Sequence, residues 1–157
     1  MEVRKSALVG FPADGMFDLI EAAEHYPQFL PWCAASRIVA RDDSMVAAEI
    51  TVDYHGLRFS FTTRNPKQRP EWMAVRLVRG PFRHFEGEWR LRSLAPSACK
   101  IEFSLRYELG AGLIDTVAGP VFHRIANSLV DAYVARAEQV LGPGSAHPPA
   151  PDLPAEG

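Results

Sequence analysis

The chain has 157 residues, which predicts one domain large enough to bury a sizeable core. Hydrophobic residues make up 47% and charged residues 23%, and the net charge of −2 argues against a protein whose main task is to bind nucleic-acid phosphates. No apolar run is long enough for a membrane span, the N-terminus does not resemble a signal peptide, and two cysteines are too few for a disulfide framework. We therefore expect a cytoplasmic α+β protein with reduced thiols.

The N-terminal part predicts one strand and two short helices. Alternation over Val3–Val9 is typical of a strand. Asp14 is expected to cap a helix whose apolar residues lie within Met16–Ala23. The segment Tyr26–Cys33 contains two prolines, which leave room for only a turn or one short helical piece.

The middle of the chain predicts an antiparallel sheet. Apolar and polar residues alternate with a period of two, Asp42–Ser44 forms a hairpin turn, and Asn65-Pro66 is expected to end a strand. Together with the first strand this gives a curved sheet of six to seven strands that is apolar on one face. The predicted strands are Ser36–Arg41, Met45–Tyr54, Arg58–Arg64, Trp72–Val78, His84–Leu94 and Cys99–Leu109.

The C-terminal part predicts one long amphipathic helix. Apolar residues recur at spacings of three and four from Ile114 to Ala132, and the helix is expected to end at Gly142. Gly119-Pro120 lies inside this pattern and predicts a kink. Residues 1–141 would then form the folded domain, and the proline-rich tail of residues 142–157 is expected to be disordered.

The sequence carries no motif for a metal, a nucleotide or a catalytic nucleophile, so we expect no cofactor. Its most unusual feature is the number of aromatic side chains on the inner face of the predicted sheet. They could fill a solid core or line an apolar ligand cavity. The candidate cavity residues are Phe29, Leu30, Trp32, Val52, Tyr54, Phe59, Phe61, Leu77, Phe82, Trp89, Phe103, Tyr107, Val117, Val121 and Ile125.

Five segments resemble the coenzyme Q-binding and RatA-like START-domain proteins, which belong with polyketide cyclases and dehydratases. They are Tyr26–Cys33, Phe59–Asn65, Leu77–Trp89, Cys99–Glu108 and Val130–Ala137. The resemblance covers about residues 3–141 and implies the helix-grip fold, in which an antiparallel sheet wraps around a long C-terminal helix. It also implies ubiquinone binding in support of respiration, or a toxin that blocks joining of the ribosomal subunits.

Three functional hypotheses follow. The first is a non-enzymatic protein that binds ubiquinone or another polyprenyl lipid, with Tyr54 or Tyr107 orienting the head group. In this hypothesis Phe29, Leu30 and Trp32 either line the mouth of the cavity and touch a membrane surface such as the inner membrane, or plug the space between helix and sheet.

The second hypothesis is ribosome binding, and the third is a cyclase-like enzyme. A basic patch for the ribosome would consist of Arg64, Lys67, Arg69, Arg79 and Arg83, and no DNA partner is expected. A cyclase would need polar groups inside the cavity. Its candidate residues are His55, Arg58 and His123.

Overall fold

The computed structural model describes residues 1–113 and 118–142. The predicted tail therefore lies outside the described residues except for Gly142, and so does Val117. In chain order the elements are β1 (Glu2–Val9), α1 (Ala13–Glu21), a 3-10 helix (Ala23–Gln28), β2 (Cys33–Arg41), β3 (Met45–Tyr54), β4 (Leu57–Gln68), β5 (Trp72–Arg79), β6 (Phe82–Ala95), β7 (Ala98–Leu109) and α2 (Ala118–Val140).

All seven strands form one antiparallel sheet in the order β1-β7-β6-β5-β4-β3-β2. Helix α2 lies against β1, β7 and α1, and its buried residues join the inner face of the sheet in one hydrophobic core. This arrangement confirms the predicted α+β helix-grip fold, including two short helices after the first strand.

The burial pattern confirms the alternation along the long strands. In β7, Ile101, Phe103, Leu105 and Tyr107 are buried, and the residues between them are exposed or half-buried. Such a strand stabilises the fold through its inner face only, because its outer side chains remain in contact with water.

Register shifts interrupt the strand pairing at several places in the described sheet, including one in β2 and one in β5 that each leave an apolar residue in solvent. The pairing skips Val39 in β2 and Val78 in β5. These two residues are 49% and 54% exposed, which explains why two apolar side chains of the sheet face solvent. A β-bulge bends its strand and increases the local twist, so both shifts contribute to the curvature that the sheet needs to surround a helix.

The prediction for the start of α1 was wrong. The residue that precedes α1 is Pro12, and no side-chain hydrogen bond caps the helix. Asp14 lies inside the first turn, where its negative charge favours the positive end of the helix dipole without acting as the cap. Pro12 suits the position because its backbone is extended and the Pro12 carbonyl accepts a hydrogen bond from the Met16 N–H.

Helix α2 is described from Ala118 onward, so Gly119 and Pro120 are among its first described residues. The preceding part of the predicted helix, residues 114–117, lies outside the described residues. The kink at Gly119-Pro120 therefore stays a prediction. Neither α1 nor α2 is long and apolar enough to cross a bilayer, as far as the described residues go.

Strand β4 continues past the residues that were expected to end it. Asn65 and Pro66 pair with Val46 and Met45 of β3, and the Lys67 N–H donates to the Ser44 carbonyl. The expected stop was wrong because β3 pairs with β4 up to the proline and β5 pairs with the two residues after it. The extension carries Asn65 and Lys67 into the region beneath α1 and α2.

Candidate functional site

A cavity lies between the inner face of the sheet, the 3-10 helix and α2. The space open to the centre of a water-sized molecule is about 100 Å³. One water needs roughly 10–15 Å³ of such space, so the cavity could admit a ring-sized group. Its walls are formed by Ala23, Tyr26, Leu30, Trp32, Ala48, Ile50, Phe61, Thr63, Asn65, Met73, Val75, Phe85, Trp89, Phe103, Leu105, Phe122, Ile125, Ala126, Leu129 and Tyr133.

Aromatic rings hold the walls of the cavity in place. Trp89 packs on Phe103 with ring centroids 4.5 Å apart and meets Tyr133 of α2 edge-on at 5.2 Å. Tyr26 contacts Tyr133 at 5.8 Å. Edge-to-face and offset pairs of this kind are favourable beyond the area that they bury, so the wall is stiff. Small residues such as Ala48 and Ala126 keep the space between these rings open.

The polar groups of the wall are few and uncharged. The Tyr26 hydroxyl donates to the Ile20 carbonyl, and burial raises the pKa of Tyr26 and of Tyr133 well above the ordinary tyrosine value. Both hydroxyls therefore stay protonated. Thr63 and Asn65 come from β4 and Trp32 from the residues just before β2. A site of this composition favours an uncharged ligand.

Six of the predicted cavity residues line the cavity. They are Leu30, Trp32, Phe61, Trp89, Phe103 and Ile125. Leu30 is 1% exposed and Trp32 is 7% exposed, so they present little surface to a membrane. Phe29 is half-buried against Tyr26 and Tyr133, and the Arg136 guanidinium lies 5.0 Å from its ring.

The other described candidates lie outside the lining. Phe59, Phe82 and Tyr107 belong to a solid aromatic cluster that also contains Phe85 and Phe122, with Phe82–Phe122 centroids 5.1 Å apart. One region of the interior is therefore filled with rings while the adjacent region is hollow. The predicted cavity residues that line no part of the cavity are Phe29, Val52, Tyr54, Phe59, Leu77, Phe82, Tyr107 and Val121.

Sequence reasoning missed the polar part of the wall. Thr63 and Asn65 continue the alternation that begins with Phe59 and Phe61, so the period of two already places them on the inner face. The expected strand end at Asn65-Pro66 hid this signal. The helix residues Phe122, Leu129 and Tyr133 were visible as an apolar stripe, but the stripe does not show which of its members face a space.

The two residues proposed to orient a head group have other contacts. The Tyr107 hydroxyl lies 3.2 Å from His123 Nδ1, and Tyr54 packs against His55 with ring centroids 4.2 Å apart. Arg58 is exposed and pairs with Asp53. His55 is exposed and His123 half-buried, and none of the three cyclase candidates lines the cavity.

The predicted basic patch divides into two groups. Lys67 is buried in an ion pair with Glu21, and Arg69 pairs with Asp18 and lies 3.5 Å from Glu21. Arg64, Arg79 and Arg83 are exposed, and no ion pair engages them within the described part of the chain. The structure therefore leaves these three arginines available at the surface.

Residues 9–134 match the family model described as "Polyketide cyclase / dehydrase and lipid transport". The chain belongs to this family. Its description covers catalysts and lipid carriers, so membership supports an interior that accommodates hydrophobic molecules without deciding between the two.

Three known proteins are similar to this chain in sequence or in fold. The ribosome association toxin RatA of Pseudomonas aeruginosa is 38% identical over 140 residues, which cover 89% of this chain and 97% of that protein. A mitochondrial coenzyme Q-binding protein COQ10 homolog B of Xenopus laevis is 23% identical, covering 90% of this chain and 60% of that protein. The Zhui aromatase/cyclase of Streptomyces sp. R1128 superposes with a TM-score of 0.77 at 18% identity, over 92% of this chain and 98% of that one, and shares the fold.

Proposed function

We propose that the chain binds one hydrophobic small molecule with a polar ring, ubiquinone or another polyprenyl lipid, and supports respiratory electron transport without catalysing a reaction. The observation that carries this proposal is the aromatic cavity with few, uncharged polar groups. The COQ10 relative is named for coenzyme Q binding, which agrees with a quinone ring as the polar end.

The driving force would be removal of the ligand from water. Each CH₂ group that the cavity takes up contributes about 0.8 kcal/mol. A cavity of about 100 Å³ accommodates a ring and little more, so the proposal places the ring inside and most of the prenyl tail outside it. Wall residues such as Phe103 and Ile125 would contact the ring, and the neutral tyrosines add no charge that the ligand must match.

The test begins with protein purified from its own host, extracted for bound lipid and analysed by mass spectrometry. We expect a quinone or a related prenyl lipid in the extract.

A titration with a short-chain ubiquinone analogue then compares wild type with Ala126→Phe, which fills the cavity, and with Ala135→Phe, which adds the same ring on the exposed side of α2. We expect Ala126→Phe to weaken binding at least tenfold and Ala135→Phe to leave it unchanged. Wild-type protein that carries no lipid and takes up none would contradict the proposal.

A second candidate function is interference with ribosomal subunit association. It is favoured by the name of the RatA relative and by the exposed Arg64, Arg79 and Arg83. Arg64 also lies directly opposite Arg76 in the β4–β5 pairing. Two like charges in that position disfavour folding slightly, and a phosphate partner would offset the repulsion.

Sucrose-gradient profiles after overexpression test this second function. We expect wild type to lower the monosome peak and raise the free subunits. A triple variant of Arg64, Arg79 and Arg83 to alanine should restore the normal profile, whereas Arg58→Ala, which removes an exposed arginine already paired with Asp53, should act like wild type. An unchanged profile with wild type would reject ribosome interference.

A further inference from the structure

Two cavity residues have buried polar atoms without a partner. Among the described residues, three buried side-chain nitrogen or oxygen atoms make no hydrogen bond: Trp32 Nε1, Asn65 Oδ1 and Ser36 Oγ. Trp32 and Asn65 both line the cavity, whereas Ser36 does not. The Trp32 carbonyl accepts from the Asp53 N–H at the end of β3, and Asn65 pairs with Val46 near its start, so the two residues lie toward opposite ends of the cavity. Buried polar groups in folded proteins are nearly always paired, so two unpaired atoms in the lining of one cavity call for a partner.

The chemistry of the two atoms is complementary. An indole Nε1–H only donates hydrogen bonds, and Trp32 is 7% exposed, so its N–H has no access to bulk water. An amide oxygen only accepts them. A molecule that satisfies both must accept from Trp32 and donate to Asn65.

A contact of Asn65 supports the orientation of its amide. Its Nδ2 donates to the Met73 sulfur at 3.8 Å, and Met73 is buried in the core. A thioether sulfur accepts a weak hydrogen bond but cannot donate one. Rotating the amide would place its oxygen against an atom with no hydrogen to offer, so the contact favours the arrangement in which Oδ1 is the unpaired group.

We propose, as an extension of the proposed quinone function and resting on it, that Trp32 and Asn65 are the polar anchors of the cavity and that they select the reduced, hydroxyl-bearing form of the ring. One hydroxyl of a hydroquinone ring donates to Asn65 Oδ1, and the oxygen on the opposite side of the ring accepts from the Trp32 N–H. An oxidised quinone offers carbonyl oxygens only, so it satisfies Trp32 but leaves the Asn65 oxygen without a donor.

The first experiment titrates wild type, under anaerobic conditions, with a short-chain ubiquinone analogue and with its hydroquinone. One additional hydrogen bond in a buried site predicts about three- to tenfold tighter binding of the hydroquinone. Asn65→Val should abolish this preference, so that both forms bind equally. Trp32→Phe should weaken both forms several-fold. The preference ratio is informative because a merely structural defect in a variant lowers both affinities together.

The matched control is Trp72→Phe. Trp72 Nε1 donates to Glu88 on β6, and Trp72 does not line the cavity. This variant loses an indole whose hydrogen bond is made within the protein, and we expect it to bind both forms of the analogue as wild type does.

A second measurement on unmodified protein does not depend on the folding of any variant. In a ¹⁵N–¹H NMR spectrum, the Trp32 indole N–H resonance should move downfield when the hydroquinone binds, while that of Trp72 stays in place. Wild type that binds neither form overturns the proposed function and this extension together. Wild type that binds both forms equally, or Asn65→Val that retains the preference, overturns the anchor assignment alone and indicates that water satisfies these atoms.

Discussion

Lys67 shows how strongly one residue's role depends on its surroundings. Its side chain is only 4% exposed, and its ammonium pairs with Glu21 from α1, 46 positions away in the sequence. A buried charge without a partner costs several kcal/mol, whereas a carboxylate near the surface can turn to water. Glu21 keeps a second cation, Arg69, at 3.5 Å.

This asymmetry predicts unequal effects of removing the two charges. Glu21→Met should lower the free energy of unfolding by about 3 kcal/mol, since it leaves Lys67 buried and unpaired, and Lys67→Met should lower it by about 1 kcal/mol. The double variant should be more stable than Glu21→Met alone. Urea unfolding of the three variants measures the differences, and equal losses for the two single variants would contradict the assigned burial of Lys67.

Cys33 gives a pH-dependent prediction. Burial raises the pKa of its thiol from the ordinary 9.0 to about 11. The unfolded chain therefore loses this proton first, so the thiol's contribution to stability is complete below pH 9 and is lost as the pH rises toward 11. As the pH rises from 9 toward 11, the free energy of unfolding of wild type should fall by roughly 1–2 kcal/mol more than that of Cys33→Ala. Denaturant unfolding at pH 8 and near pH 10.5 tests this, and parallel losses in the two proteins would count against a buried thiol.

At the scale of elements, the β5–β6 turn restricts one glycine tightly. Gly80 has φ +153°, and a Cβ there would lie 2.6 Å from the Phe61 Cβ, which cannot move without its strand. Gly80→Ala should therefore cost about 2–3 kcal/mol and shift Phe61 on the cavity wall. Gly10→Ala is the matched control, because nothing lies within 4 Å of its added methyl group. Thermal unfolding of both variants tests this prediction. Similar melting temperatures for the two variants would contradict the close approach of Gly80 to Phe61.

The elements also show how far sequence patterns reach. Alternation and helical spacing sufficed for the sheet and for α2, since each reports which side of a backbone meets water. They could not show that β4 passes through Pro66, because that depends on partners in β3 and β5. They could not find the Lys67–Glu21 pair either, because the contact joins segments distant in sequence.

For the site, the pattern identified apolar wall residues such as Trp89 and Phe103 but not the boundary between cavity and solid core. That boundary depends on sheet curvature and on ring orientations. Phe82 and Phe122 fill one region by packing at 5.1 Å, although Phe82 has the same pattern in sequence as a wall residue.

At the scale of the whole molecule, the cavity and the exposed Arg64 lie on opposite sides of the sheet. The cavity is bounded by inner-face residues, whereas Arg64 alternates with the inner-face residues Thr63 and Asn65 and is exposed. The sheet thus separates the cavity from the surface around Arg64, and a substitution on one side need not disturb the other.

This separation predicts that the two proposed functions can be removed independently. Ala126→Phe should lose ligand binding and keep the wild-type effect on ribosomal subunits, whereas the alanine variant of Arg64, Arg79 and Arg83 should do the reverse. Added salt should weaken only the ribosomal effect, because phosphate contacts are screened and burial of apolar surface is not. Ligand titration and gradient profiles of the same two purified variants give the comparison. If Ala126→Phe abolished both activities, subunit interference would depend on the occupied cavity, and the arginine surface would not act alone.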